Sequence, residues 1–369
     1  MPSLPSKRVA LFLPMLSGGG AERVMVTLAN AFADRGIRTD FVLAKAEGPY
    51  IKHVSPRVRI VDLKASRVTT SILPLTRYIR GERPQAMLSA LRHANIVAIL
   101  AKKFSHVPLR LVISERNTLR AAQVYTGDLR KRSIPFFMRS FYPMADEVVA
   151  ISKGVAEDLT RLIGLRPEHI RVIYNPIDAM RIEQASQVAS EHPWLSSRHP
   201  PIILGAGRLT LQKDFQSLIL AFSMFCEKAP ARLVILGEGE LRNELQALID
   251  RLNLSTKILL PGFVDNPYSW MRAAKVFVLS SRWEGLSCVL IESMACGTKV
   301  VSTDCPSGPS EVLENGKWGK LVPVGDVKAL ATAMSDAFFN SNSPDVRERA
   351  ADFSVDKAAK DYLKALNIY

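Results

Sequence analysis

The stretch Arg282-Trp-Glu-Gly-Leu-Ser-Cys-Val-Leu-Ile-Glu292 carries two glutamates, Glu284 and Glu292, eight positions apart. The short, branched run Val276-Phe-Val-Leu279 before it predicts a buried strand, and the apolar residues after Gly285 recur at helical spacing. The stretch therefore reads as a strand-to-helix loop and a helix, whose first N–H groups are unpaired and attract anions. Because carboxylates accept hydrogen bonds from hydroxyl groups but repel phosphate, this combination favours a sugar joined to a phosphate. The alternative is that both glutamates are solvated helix residues.

Length and composition indicate a globular protein with two domains: 369 residues, 47% of them apolar and 23% charged. No apolar run is long enough to span a bilayer. Residues 8–16 resemble the apolar part of a signal peptide, but Pro14 interrupts them and a glycine loop follows, so we expect a first strand instead. The four cysteines form neither a C-x-x-C pair nor a disulfide framework, which favours a reducing cytoplasm.

The positive charge is concentrated in the first half of the chain. Residues 1–175 hold 28 Lys and Arg against 13 Asp and Glu, whereas residues 176–369 hold 21 against 22. The two halves thus carry +15 and −1. We therefore expect the first half to bind an anionic partner. This partner is a nucleic acid, a lipid surface or a phosphorylated substrate.

A glycine loop, Ser17-Gly-Gly-Gly-Ala-Glu22, lies between a strand predicted at Val9–Leu13 and a predicted helix. Strand, glycine loop and helix in this order are typical of a phosphate cradle, because glycine lets a ligand approach the backbone closely. The loop matches neither the dinucleotide fingerprint G-x-G-x-x-G nor a Walker loop. A plain tight turn is the alternative for any single glycine.

Strand and helix patterns alternate through the first half, which predicts an α/β fold with a parallel sheet covered on both faces. Polar side chains follow two of the predicted strands, those at 86–89 and 111–114. Ligands bind at that edge of an open α/β sheet. We assign the following residues to the acceptor side of a site: Glu22, His93, Asn95, Glu115, Arg116 and Asn117.

Residues 119–143 mix arginines and lysines with bulky apolar residues such as Tyr125, Phe136, Phe137 and Phe141. This mixture favours a helix that lies on an anionic membrane surface. The alternative is a core helix with a solvated basic face. Pro135 interrupts any single long helix here.

The second half repeats the α/β pattern. Residues 181–200 lack an apolar period and predict a linker between an N-terminal domain, 1–180, and a C-terminal domain, 201–350. Residues 351–369 predict a C-terminal helix that packs back towards the first domain. Gly207-Arg208 and Lys213 place a guanidinium and an ammonium after a strand, and these two groups can hold a diphosphate. Surface cations near a turn are the alternative.

Taken in order, these motifs resemble the retaining glycosyltransferases of family 4, which have the GT-B fold of two Rossmann-like domains facing each other across a cleft. The resemblance covers nearly the whole chain, and its most specific part is Glu284–Glu292, which matches the family's E-x7-E motif. The motif order is also similar to bacterial enzymes that extend polyprenyl-diphosphate oligosaccharides with N-acetylhexosamines. Weaker matches are Gly18–Glu22, Gly207-Arg208-Leu209 with Lys213, Gly237-Glu-Gly239, Pro261–Val264 and Asn175-Pro176.

The resemblance implies roles by position. Arg208 and Lys213 would bind the donor diphosphate and stabilise it as it leaves, Glu284 would hold hydroxyl groups of the donor sugar, and Glu292 would bind the ribose. Other nucleotide-sugar contacts would come from Gly19, Gly20, Gly207, Val264, Leu286 and Ser287. Retention would follow from front-face attack, with the leaving phosphate taking the acceptor proton. Since no Asp-x-Asp metal motif is present, neither a metal nor another cofactor is expected.

The expected partners are a nucleotide-diphosphate sugar, preferably UDP-linked, and a glycan or polyprenyl-linked acceptor. We expect a cytoplasmic enzyme bound peripherally to the anionic inner face of the cytoplasmic membrane. A nucleic-acid-binding protein would explain the basic half, but not the charged pattern of the neutral half, so no nucleic-acid partner is expected. A nucleotide-sugar 2-epimerase of the same fold is the nearer alternative, with His93 and Glu115 as its catalytic groups.

Overall fold

The computed structural model describes residues 8–118, 134–188, 192–195, 200–340 and 342–368. Contacts divide the chain into two compact units. The first unit comprises Met1–Pro176 and Ser354–Tyr369, and the second comprises Ile177–Phe353.

The first unit is built on a parallel sheet with the strand order β3-β2-β1-β4-β5-β6-β7. Its strands are β1 (Arg8–Leu13), β2 (Arg38–Leu43), β3 (Arg59–Asp62), β4 (Ala86–Ala90), β5 (Arg110–Glu115), β6 (Glu147–Ala150) and β7 (Ile170–Val172). Its described helices are α1 (Gly20–Asp34), α2 (Ile72–Glu82), α3 (Arg92–Ser105), α4 (Ile134–Phe141) and α5 (Lys153–Ile163), with 3-10 turns at Pro49–His53, Thr69–Ser71, Tyr142–Met144 and Pro167–His169.

The order of the first sheet reverses between β1 and β4. Both strands are buried on both faces, as Leu11, Phe12 and Leu88 show, because helices cover the sheet on either side. The reversal leaves a crevice at the carboxyl ends of the two strands, where ligands bind in open α/β sheets. The glycine loop follows β1, and Arg92 and His93 follow β4.

The second unit repeats this plan with the parallel order β10-β9-β8-β11-β12-β13. Its strands are β8 (Ile202–Ala206), β9 (Arg232–Leu236), β10 (Ile258–Gly262), β11 (Ala274–Leu279), β12 (Lys299–Thr303) and β13 (Lys320–Val322). Its described helices are α6 (Ala179–Gln187), α7 (Phe215–Phe225), α8 (Arg242–Arg251), α9 (Tyr268–Ala273), α10 (Cys288–Ala295), α11 (Pro309–Val312), α12 (Val327–Phe339) and α13 (Val346–Ala351), with a 3-10 turn at Pro193–Leu195. Here the order reverses between β8 and β11.

The linker predicted at 181–200 differs from the structure, because α6 occupies its first part. The Asp178 carboxylate accepts a hydrogen bond from the Arg181 N–H and caps this helix. Ile182 and Ser186 are buried on the face that packs against α9 and α10. Because Ile182 is the one large apolar side chain that this helix buries, the apolar residues of the segment do not recur at helical spacing. The sequence therefore did not predict the helix. The compact second unit also begins earlier than predicted, at Ile177.

The C-terminal helix α14 (Val355–Ala365) belongs to the first unit, where it packs against α1. Arg35, the C-cap residue of α1, pairs with Asp356 at 2.5 Å. The Arg110 guanidinium donates to the Ala365 carbonyl oxygen at 2.5 Å, so a cation lies at the negative end of the helix dipole.

Candidate active site

In the second unit the candidate donor residues lie on loops that follow β8 and β11, the two strands that flank the reversal of the sheet. One loop carries Gly207, Arg208 and Lys213, and the other carries Glu284. Strands that neighbour each other in a parallel sheet end at the same edge, so the two loops meet although more than 60 residues separate them.

Gly207, at the start of the first loop, and Gly237, directly after β9, allow these two segments to pack closely. The Gly207 N–H donates to the Leu236 carbonyl at 2.9 Å. A Cβ atom on Gly237 would overlap the Gly207 carbonyl oxygen, and Gly237 has a φ of 133°, so this position requires glycine. A Cβ on Gly207 would lie 3.0 Å from Cε of Lys213. The stem of Lys213 therefore lies over the Gly207 backbone.

Lys213 and Glu284 form an ion pair. The distance between Lys213 Nζ and Glu284 Oε1 is 2.5 Å, and the side chains are 16% and 7% exposed. The Ser281 hydroxyl donates to the same carboxylate oxygen at 2.7 Å. Thr303 in turn donates to the Ser281 carbonyl at 2.6 Å. The structure thus brings together two of the three residues that the sequence predicts to be catalytic.

The third predicted catalytic residue, Arg208, lies five positions before Lys213 on the same loop, and its side chain is exposed. Within the described residues its guanidinium has no hydrogen-bond or ion-pair partner, which leaves the charge available to a ligand. The structure also shows that no group of three or more His, Cys, Asp or Glu side chains in the described part of the chain is arranged to hold a metal ion.

The other predicted donor contacts surround these loops. Glu292 lies on α10 and is 4% exposed. Leu286 and Ser287 are buried directly before this helix, and Ser287 is its N-cap residue. Val264 follows β10 and is half-buried.

Two neighbours of the Glu284 loop carried no signal in the sequence. Cys305 is buried, and the pKa of its thiol is raised by burial and then by the charge of Glu284. The Ser307 hydroxyl donates to the Gly285 carbonyl at 2.9 Å. The segment Pro306–Pro309 therefore packs on the loop between Glu284 and α10.

In the first unit, the glycine loop and the start of α3 come together at the crevice edge. Gly19 is the N-cap of α1, and a Cβ there would overlap the Glu22 carboxylate. Gly20 begins α1. The pKa of His93 is lowered, first by partial burial and then by the Arg92 charge, while Glu22 acts in the opposite direction. The topology places Glu22 and His93 after the neighbouring strands β1 and β4, at one edge of the sheet.

Glu115 lies in a buried polar cluster. It is 3% exposed, accepts from the Tyr142 hydroxyl at 2.7 Å, and pairs with Arg92 at 3.3 Å. Burial raises the pKa of Tyr142 well above its usual value, so the hydroxyl keeps the proton that it donates. Asn95 is fully buried and donates to the Ser114 carbonyl at 3.0 Å. Glu115 and Asn95 thus lie beneath the surface, with Arg92 above them.

The remaining acceptor candidates follow β5. Arg116 is half-buried, and its guanidinium donates to the Ser114 hydroxyl at 3.4 Å. Asn117 is half-buried and accepts from the Thr118 N–H at 2.9 Å. Tyr142 belongs to the stretch 119–143 that the sequence assigned to a membrane surface, but the structure buries it fully and pairs it with Glu115.

The predicted membrane-contact stretch, 119–143, lies partly outside the described residues, which resume at residue 134. In α4, Phe136 is 71% and Phe137 is 50% exposed, whereas Met138 is fully buried. Arg139 on the same helix is exposed. Among the described helices, none has the length and apolar character needed to cross a membrane.

Comparison with known proteins agrees with this architecture. The family profile "Glycosyltransferase Family 4" matches residues 18–181, and "Glycosyl transferases group 1" matches residues 190–353. The N-acetylgalactosamine-N,N'-diacetylbacillosaminyl-diphospho-undecaprenol 4-alpha-N-acetylgalactosaminyltransferase of Campylobacter jejuni is 31% identical over 98% of this chain and 99% of its own. The lipopolysaccharide core biosynthesis glycosyltransferase LpsE of Rhizobium meliloti is 28% identical over 86% of this chain and 84% of its own. The solved structure of Anabaena HepE in complex with UDP-glucose has a TM-score of 0.79 and 18% identity, covering 98% of this chain and 100% of that one.

Two parallel α/β units of this kind, together with the structural neighbours, define the GT-B fold, so the fold prediction is confirmed. With a relative 31% identical over 98% of its length, the chain belongs to glycosyltransferase family 4. The prediction of a glycosyltransferase is therefore confirmed, and the epimerase and nucleic-acid alternatives receive no support.

Proposed function

We propose that this glycosyltransferase moves a hexose or N-acetylhexosamine from a UDP-linked donor to a glycan or lipid-linked acceptor, with retention and without a metal ion. The relatives favour these substrates. The name of the Campylobacter jejuni relative specifies an undecaprenol-linked acceptor and transfer of an N-acetylgalactosaminyl group. The solved structure of HepE is a complex with UDP-glucose.

The observation that carries the proposal is the Lys213–Glu284 pair with the exposed Arg208 on the same loop. A diphosphate is bound by cations, and sugar hydroxyl groups are bound by hydrogen-bond acceptors. A site for a sugar diphosphate therefore needs cations and acceptors within a few ångströms of each other. Glu284 alone would repel the diphosphate. Paired with Lys213, it accepts hydroxyl hydrogen bonds while the ammonium and Arg208 meet the phosphates.

This arrangement also accounts for departure of the leaving group. The bond between the sugar C1 and the β-phosphate oxygen breaks, and the developing charge is stabilised by Arg208 and Lys213. The acceptor oxygen bonds to C1 on the face that the phosphate leaves, and its proton passes to the phosphate. Two cations take the place that a metal ion has in other diphosphate sites.

The remaining donor contacts follow the family pattern. Glu292 binds the ribose hydroxyls, Val264 meets the base through its backbone, and the N–H groups of Leu286 and Ser287 lie beside the sugar. Gly207 allows the diphosphate to approach the backbone. The buried position of Glu292 suits a carboxylate that exchanges water for two ribose hydroxyls.

We assign the acceptor to the first unit. Glu115 holds Arg92 at the carboxyl edge of the sheet, and His93, Glu22, Arg116 and Asn117 surround the same edge. An excess of +15 in residues 1–175 suits an acceptor that carries a diphosphate.

A lipid-linked acceptor also requires a membrane surface, which we propose is the inner face of the cytoplasmic membrane. Phe136 and Phe137 are exposed on α4 beside Arg139, so apolar insertion and electrostatic attraction act together. Co-sedimentation with vesicles tests this location. The protein should pellet with anionic vesicles at low salt, and a Phe136→Ser/Phe137→Ser variant should pellet less. Recovery of the unchanged protein in the supernatant would exclude the membrane contact without affecting the glycosyl transfer.

A donor panel tests the enzymatic proposal. A donor that binds raises the thermal midpoint by mass action, so the true nucleotide sugar should stand out from UDP and GDP analogues. Transfer to a polyprenyl-diphosphate glycan should persist in EDTA, and the proton coupling at C1 of the product should show the anomeric configuration of the donor. Loss of activity in EDTA with recovery on adding a divalent ion would exclude the metal-free mechanism, and an inverted product would exclude retention.

A further inference from the structure

Three consecutive residues of the first donor loop, Gln212, Lys213 and Asp214, each contact the segment 280–284. The Gln212 side chain donates to the Trp283 carbonyl at 2.9 Å, and its own carbonyl accepts from the Arg282 N–H at 2.8 Å. The Ser280 hydroxyl donates to the Lys213 carbonyl at 2.8 Å. The two loops are therefore joined along their lengths, in addition to the Lys213–Glu284 pair.

Asp214 and Arg282 add an ion pair to these links. Arg282 donates through Nε to one Asp214 oxygen at 3.0 Å and through Nη2 to the other at 3.3 Å. The Ser217 hydroxyl adds a third hydrogen bond at 2.9 Å. Asp214 is 4% exposed, so the guanidinium compensates a carboxylate that is withdrawn from water. Paired parallel hydrogen bonds of this kind fix orientation as well as distance.

The backbone at Asp214 explains why such a link is needed. Asp214 has a φ of 46°, in the left-handed region that few residues other than glycine adopt. The chain turns sharply directly after Lys213, and this turn decides where the lysine stem starts. An ammonium on a flexible four-carbon stem is directed only if its backbone is fixed.

We infer that Asp214 and Arg282 are positioning residues for sugar transfer. They hold the backbone on both sides of the Lys213–Glu284 pair, so that the ammonium is aimed at the diphosphate before the donor binds. They act through Lys213 and do not touch the donor themselves. This inference rests on the proposed role of Lys213. A displacement of about 1 Å in such a group lowers turnover by up to about 100-fold.

The test uses Arg282→Gln, which removes the charge and the fork, and Arg282→Lys, which keeps the charge alone. We expect Arg282→Gln to lower kcat on the order of 10-fold. It should also weaken UDP binding while leaving UMP binding unchanged, because UMP lacks the β-phosphate. Arg282→Lys should lie between wild type and Arg282→Gln. A purely structural role would change both nucleotides alike.

A matched control is available in the same unit. Arg347 pairs with Asp345 through three side-chain hydrogen bonds, the shortest at 2.7 Å, but both side chains are exposed. Arg347→Gln should leave kcat and both nucleotide affinities unchanged. Asp214→Asn is a second variant of the buried pair that keeps the shape of the side chain. If its burial prevents folding, the partly exposed Arg282 provides the measurement.

A double-mutant cycle with Lys213→Ala decides whether the effect passes through the lysine. We expect Arg282→Gln to change kcat less than about 2-fold in the Lys213→Ala background. An undiminished loss in that background, or no loss in the wild-type background, overturns the inference. If Lys213→Ala itself leaves kcat and UDP binding unchanged, the proposed donor site is wrong, and the positioning role is lost with it.

Discussion

Removing the ammonium of Lys213 should separate the contribution of the Lys213–Glu284 pair to stability from its contribution to transfer. In Lys213→Ala the Glu284 carboxylate stays buried, and its charge is left without the cation. In the double variant Lys213→Ala/Glu284→Gln the buried charge is gone as well. Both variants therefore lack the catalytic cation and differ in the electrostatic cost of folding, and the double variant also lacks the Glu284 carboxylate.

The magnitudes follow from the geometry. At 2.5 Å and an effective dielectric constant of about 20, the attraction is about 7 kcal/mol before desolvation is counted. Breaking a fully buried pair costs about 3–5 kcal/mol. Lys213 is 16% exposed and Ser281 still donates to the carboxylate, so we expect Lys213→Ala to lose about 2–3 kcal/mol. The double variant should lose only about 1 kcal/mol, because no unpaired charge remains.

Turnover should behave differently from stability. Losing one donor to a developing negative charge costs about 3 kcal/mol, which is about 100-fold in kcat. Because Glu284→Gln does not restore a cation, the double variant should be at least as slow as Lys213→Ala. Urea unfolding measures the free energies, and product formation at saturating donor measures kcat.

The control is Lys317→Ala, which removes the lysine of an exposed pair with Glu314 at 3.1 Å. It should change the unfolding free energy by less than about 1 kcal/mol and leave kcat unchanged. Recovery of turnover in the double variant would refute the role of Lys213 at the diphosphate. Equal stability of Lys213→Ala and wild type would refute the energetic coupling of the pair.

Three further predictions follow from the same unit. Glu292→Gln should weaken UDP binding about 10-fold with little effect on kcat, whereas Glu284→Gln should mainly lower kcat. Titration with UDP measures the affinities, and an equal loss of affinity in both variants would contradict their separate roles. Gly237→Ala should lower the free energy of unfolding in urea by about 3 kcal/mol, because the new Cβ would overlap the Gly207 carbonyl. Gly325 also has a positive φ but open space around it, so Gly325→Ala should lower the free energy of unfolding less. Equal losses in the two variants would exclude the clash. Cys305 should resist iodoacetamide at pH 8 in the folded protein, since its raised pKa disfavours the thiolate, and fast labelling in peptide mapping would show that the thiol is not buried.

Local patterns were sufficient for most of the architecture. The alternation of strand and helix periods predicted the α/β class, and the strand predicted at Val9–Leu13 is observed as β1, Arg8–Leu13. The strand, loop and helix around Glu284 were predicted as well, with α10 beginning at Cys288. These features depend on residues that are close in sequence, where side-chain alternation and helical spacing report directly on burial.

Short elements with little apolar character escaped the same reasoning. Strand β7 has three residues and lies at the sheet edge, with Arg171 and Val172 exposed. Helix α6 buries Ile182 as its one large apolar side chain. Each of these elements is stabilised by the neighbour on which it packs. Its own sequence therefore contains few apolar residues that would predict it.

Which charges become partners was decided by the tertiary structure. From the sequence, Lys213 was a candidate phosphate ligand and Glu284 a candidate sugar ligand, and nothing in the spacing paired them. Asp214 and Arg282, 68 positions apart, showed no signal of their own. The reversal of strand order places β8 directly beside β11, although β9 and β10 come between them in the chain. Because neighbouring parallel strands end at one edge, that reversal brings the two loops into contact, and the identities of the donor-site partners follow from the order of the sheet.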